Sequence, residues 1–217
     1  GTYYSFEWGD ALFVTLDPFW SSETVVDNIF EGPRGGGMGQ PPQPWTDADG
    51  TPRADNGKTV NKWDMSLGDT QYNWLKETLE ESDATFKFIF AHMMHGGSRG
   101  GVEQANLYEW GGENQNGNYE FDTERPNWEK PIHQLMADTD VTVFFHAHDH
   151  VWVKQELDGV VYQELGSPAD ADYELQNWTS AYIDDSSVIY PNTGYTKVSV
   201  TPEEVQVDYV RTYLPED

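Results

Sequence analysis

The residues with most chemical potential in this chain are its six histidines: His92, His95, His133, His146, His148 and His150. All but His133 lie just beyond the ends of two apolar runs, 86–91 and 141–145. In an open α/β sheet the carboxyl ends of neighbouring strands converge on one crevice, and ligands bind there. Neutral imidazole suits zinc-like metals, and with no cysteine in the chain a transition metal would have to be held by His, Asp, Glu or Asn. In His148-Asp149-His150 the imidazoles are two residues apart, so an extended segment would aim both to one side, and a bend could aim each at a different metal. His146 shares their parity if the strand continues. A polar pair at a strand end also has an inert reading, but the Ala91-His92 step at the end of the preceding strand favours metal.

The positioning elements follow from hydrophobic periodicity. Tyr72, Leu75 and Leu79 share one face of a helix over 70–81, with Asp69 or Thr70 available to cap it. A buried strand over 86–91 follows, then a helix over 128–137 with Ile132, Leu135 and Met136 on its apolar side, then a strand over 141–145. Two helix-then-strand units imply a sheet with helices packed outside it. Upstream, 3–8 and 11–17 read as a hairpin turning at Gly9-Asp10. Downstream the pattern is mostly β, with strands over 160–164, 195–200 and 205–213, the last two forming a closing hairpin. The stretches 18–66 and 96–125, rich in Gly, Pro and polar residues, read as long surface loops within one domain spanning 1–217.

Composition sets the boundaries. A chain of 217 residues, 37% apolar and 14% aromatic, can bury a core. Twelve basic against 38 acidic side chains give a net charge of −26, which argues against nucleic acid or anionic lipid as partners. It suits a saline medium, where self-repulsion is screened. No apolar run approaches the length that spans a bilayer, and residues 1–8 do not resemble a signal peptide, so targeting information is expected upstream. The acidic turn Asp47-Ala48-Asp49-Gly50 with Asp55 fits a calcium loop poorly, and Asn177-Trp178-Thr179 matches a glycosylation acceptor that short sequences often match by chance.

Phe90-Ala91-His92, followed about fifty residues later by Ala147-His148-Asp149-His150, resembles the last two motifs of the calcineurin-like metallophosphoesterases, with alanine where the family has glycine. The resemblance extends to 3–17, to the helix from Gln71 to Leu79, and to Arg99-Gly100-Gly101-Val102-Glu103, Glu109-Trp110-Gly111-Gly112 and 154–159, stretches similar to an uncharacterised bacterial branch. It implies an α/β fold: the C-terminal half of a four-layer α/β/β/α sandwich, contributing one mixed sheet, outer helices and a C-terminal β-hairpin. It also implies two divalent or trivalent transition metals (Zn, Fe, Mn or Ni), with His92 and His148 on one and His150 on the other. His95 would touch the phosphate ester substrate or its water, His146 and Asp149 would stand behind the ligands, and Arg99 and Arg34 would contact the anion. A secreted bacterial hydrolase, extracellular or periplasmic, is the implied setting.

The resemblance also shows what this sequence does not contain. The family's Asp-x-His, Gly-Asp-x-x-Asp and Asn-His motifs are missing, because the Gly-Asp pairs at Gly9-Asp10 and Gly68-Asp69 lack the second Asp. They are expected on an N-terminal half acting as partner, without which the chain should bind metal weakly and hydrolyse little. The alternative is a non-catalytic scaffold fragment or subunit, binding cations at most. A carbohydrate-binding β module, suggested by nine Trp and twelve Tyr, fits less well with the two helix–strand units.

Overall fold

The computed structural model describes residues 2–21, 62–94, 100–169, 175, 182 and 187–213. Strands β1 (Tyr4–Trp8) and β2 (Ala11–Thr15) form the expected hairpin. A 3-10 turn (Lys62–Asp64) leads into α1 (Gly68–Glu81), and β3 (Phe86–Phe90) follows. Three one-turn helices come next, α2 (Val102–Ala105), α3 (Tyr108–Gly111) and α4 (Phe121–Glu124), then α5 (Ile132–Asp138) and β4 (Val143–His146). The β-rich remainder comprises β5 (Trp152–Leu157), β6 (Val160–Glu164), β7 (Val188–Tyr190), β8 (Gly194–Val200) and β9 (Val205–Arg211). Seven strands make one mixed sheet in the order β1-β2-β3-β4-β6-β5-β7, and β8 and β9 pair separately. The β2, β3, β4 and β6 pairings are parallel.

Alternation along the strands divides the sheet into two faces. Leu12, Val14, Ile89, Phe144 and Tyr162 pack against Tyr72, Leu75 and Leu79 of α1 and Ile132, Leu135 and Met136 of α5 in one core. The other face carries Ala11, Phe13, Phe88, Val143 and Phe145, against which Val205 and Val207 of β9 pack. There Phe6 stacks on Phe13 (4.9 Å) and Phe90 on Phe145 (5.0 Å), while Phe13 meets Phe88 at a tilt (5.3 Å), an aromatic file crossing four strands. Lys87 points from β3 into the helical layer. Its Nζ donates to the Leu79 and Thr139 carbonyls (3.0 and 2.9 Å), satisfying the carboxyl ends of two helices with one cation.

Several expectations are corrected. The second helix begins at Ile132, not 128, because Pro131 disfavours helical backbone at Lys130 and itself adopts an extended ψ of 154°. Trp128 instead stacks on Tyr72 (4.0 Å), and its indole N–H donates to Asp69 (2.8 Å), so Asp69 serves this contact and makes no cap. The Gly68 N–H donates to the Ser66 hydroxyl oxygen instead. The 96–125 stretch is, from 100 onward, an organised layer: Trp110 and Ala105 are fully buried. β5 and β7 were not anticipated as strands.

Candidate metal centre

β3 and β4 are parallel neighbours, and their ladder runs past both strand ends. The Ala91 N–H donates to the Phe145 carbonyl (3.1 Å) and the Ala147 N–H to the His92 carbonyl (2.9 Å). These bonds set His92 beside His148, with ring centroids 5.4 Å apart in an edge-to-face pair. His92 is exposed and His148 half-buried. Two imidazoles sharing a tetrahedral zinc-like ion at about 2.0–2.1 Å per nitrogen would hold their centroids about 5 Å apart, so this pair fits a shared metal. Among the described residues no group of three or more His, Asp or Glu could hold a metal, so the pair is a partial donor set.

The chain bends sharply after His148. His148 has φ 108° and His150 φ 52°, positive values that end the extended run, so strand parity does not govern where their imidazoles point. Asn192 Nδ2 donates to the His150 carbonyl, pinning the far side of the bend, where His150 is exposed. Asp149 between them is buried at 1% exposure. Its Oδ2 accepts from the Gly100 N–H (3.1 Å) and the Tyr182 hydroxyl (2.8 Å), and its own N–H donates to Glu164 Oε1 (3.0 Å).

His146 is the last residue of β4, in register with Glu164 of β6. Its Nδ1 lies 2.5 Å from Glu164 Oε2, and its ring stacks on Phe144. Burial and the nearby Glu164 and Asp149 carboxylates hold the Tyr182 phenol well above its usual range, so it acts as a donor. Gly101 lets the Gln155 side chain approach closely: a Cβ there would stand 2.2 Å from Gln155 Oε1, which would have to move. His133 is a packing residue within α5, its Nδ1 2.8 Å from the Tyr162 hydroxyl and its Nε2 3.0 Å from Asp158.

Two anchors hold the His92 side. Trp110 Nε1 donates to the Met94 carbonyl (2.9 Å), fixing the segment just after His92. The Gln71 side chain binds both backbone groups of Asp17 (2.8 and 2.9 Å), tying α1 to the end of β2. Glu164, Tyr182 and Trp110 were not singled out from sequence as site residues. The one available signal was an acid ending the apolar run 160–164. His95, Arg99, Arg34, the acidic turn at 47–55 and Asn177 lie outside the described residues.

No protein-family model matches the chain, and no curated protein matches it in sequence. Solved structures do. The Plasmodium inner-membrane-complex anchor GAP50 is similar at 12% identity over 96% of this chain and 49% of its own, with a TM-score of 0.47. Purple acid phosphatase PPD1 from yellow lupin (Lupinus luteus) seeds is similar at 14% identity over 95% and 30%, with a TM-score of 0.49. PhoD is similar at 13% identity over 95% of this chain and 37% of its own, with a TM-score of 0.56. The chain thus spans less than half the length of each. The likeness to PhoD, together with the mixed seven-stranded sheet and the separate strand pair, shows a mixed α/β fold of the kind that PhoD has.

Proposed function

We propose that the protein hydrolyses phosphomonoesters or phosphodiesters at a two-metal centre, with His92 and His148 on one metal and His150 on the other. The observation that supports this most directly is the His92–His148 pair, 5.4 Å apart at the carboxyl ends of adjacent parallel strands. When bound, such metals polarise phosphoryl oxygens and ease deprotonation of the attacking water. The chain's own residues bind and orient: the anchors at Met94 and Asp149 keep the imidazoles in place. His95 would meet substrate or its water, and Arg99 or Arg34 would offer the local cation that an anionic ester needs against a charge of −26. The remaining ligands, on Asp-x-His, Gly-Asp-x-x-Asp and Asn-His motifs, would come from an N-terminal half packed on the aromatic face of the sheet. Support for that is the exposure of Tyr4, Phe6 and Trp8 along that edge. The acid excess supports an extracellular or periplasmic, saline setting.

The test is hydrolysis of an aryl phosphomonoester and an aryl phosphodiester by the protein carrying its N-terminal half, with divalent metal added. His92→Ala and His148→Ala are each expected to lower kcat/KM by on the order of 100-fold or more while the thermal midpoint holds. Activity within a few-fold of wild type in both variants would overturn the reading. It would favour a non-catalytic scaffold, which has in its support that only two donors stand together among the described residues.

A further inference from the structure

We infer that Glu164 is a positioning residue for the His148-Asp149-His150 turn. The inference rests on the metal reading for its purpose, though not for its geometry. Glu164 is 1% exposed, and its two oxygens serve different parts of the chain. Oε1 accepts the Asp149 N–H at 3.0 Å, and Oε2 lies 2.5 Å from His146 Nδ1, in contact but without the alignment of a hydrogen bond. One carboxylate therefore connects the end of β4, the end of β6 and the turn that follows β4.

The turn needs such a clamp. His148 and His150 both take positive φ, and a non-glycine residue held there is strained and persists only where its surroundings over-determine it. The peptide held by Glu164 lies between those two residues. Asp149 is also fixed through its side chain, by the Gly100 N–H and the Tyr182 hydroxyl. With Asp149 held inward at both peptide and carboxylate, its neighbours are turned out, His148 half-buried and His150 exposed. What the clamp requires is an acceptor oxygen at the reach of a glutamyl side chain, not a negative charge as such.

That distinction defines the test. Glu164→Gln keeps the reach and an oxygen for the Asp149 N–H, and its NH2 faces His146 Nδ1, which accepts in the tautomer that carries its proton on Nε2. Glu164→Asp keeps the charge opposite His146 but withdraws the acceptor by one methylene, about 1.5 Å. Zn2+ is titrated into the full chain while the amide resonances of residues 148–150 are followed by NMR. Glu164→Gln is expected to bind Zn2+ within about threefold of wild type, and Glu164→Asp about tenfold or more weaker. In the metal-free proteins, the 148–150 amides should move in Glu164→Asp, with the Tyr72 and Trp128 signals unchanged in both variants. An ion-pair role alone gives the reverse order, so Glu164→Asp binding as well as or better than Glu164→Gln, or unmoved amides in Glu164→Asp, would overturn the inference. A wild-type chain that takes up no Zn2+ would overturn the metal reading instead, and the metal-free amide shifts would still decide the clamp.

Discussion

Glu109 is sealed from water at 1% exposure, yet four donors converge on it: the Ser66 hydroxyl (2.8 Å), the Leu67 N–H (3.0 Å), and Arg125 Nε and Nη2 (3.2 and 3.0 Å). Burial pushes its carboxyl up, Arg125 and the neutral donors pull it down, and burial prevails. A raised folded-state value means that the native state holds the proton more tightly than the unfolded chain does. The group's contribution is thus full below the ordinary carboxylate range and is lost as pH rises through the raised value. The stability of wild type minus that of Glu109→Gln should therefore decline as pH rises from about 4 towards neutrality. Urea melts of both proteins at several pH values check this, and a constant or rising difference contradicts it. Glu109 appeared in the sequence only as part of a family-like stretch, and its burial depends on Arg125 and Ser66, which are remote along the chain. The histidines were easier to read, because strand ends follow from apolar runs. The left-handed backbone at His148 and His150 was not legible, since it depends on Glu164 across a parallel register.

At the scale of elements, the loop-like stretch after β3 proves to be scaffold. Trp110 on α3 is fully buried, packs against Phe144 of β4 at 5.0 Å, and donates its indole N–H to the Met94 carbonyl. α3 closes on Gly112 at φ 96°, whose N–H donates to Tyr108. Helices of four residues present one turn and no repeat of it, so hydrophobic patterning could not reveal them, whereas the fourteen-residue α1 showed its apolar face plainly. The indole contact predicts how this layer matters to the site. Trp110→Phe keeps most of the ring but leaves the Met94 carbonyl without that donor, a loss of about 1–3 kcal/mol. Amide exchange at 92–94 should quicken more than exchange along α5, which a deuterium-exchange time course would resolve. Uniform quickening across the domain would mean that Trp110 is merely core, with no particular hold on the His92 segment.

For the whole molecule, the dominant fact is a charge of −26 on 217 residues. Among the described residues, surface ion pairs join Lys76 to Glu80 and Glu129, and Lys130 to Asp138. With 12 basic side chains against 38 acidic ones, most carboxylates have no cation to face. Self-repulsion across such a surface destabilises the compact state. It is screened as the Debye length falls from about 10 Å at 0.1 M salt to about 3 Å at 1 M. Folding should therefore strengthen with salt, the reverse of what surface ion pairs alone would give. In a chain this size each kcal/mol moves the thermal midpoint by about 2–4 °C, so a rise of about 5 °C or more between 0.1 and 1 M is the expected outcome. Sodium, potassium and choline chlorides should act alike, because screening depends on ionic strength and not on the cation. A rise seen with one cation alone would point to specific cation binding, and a flat profile in all three would mean that the charges are spaced too far apart to repel.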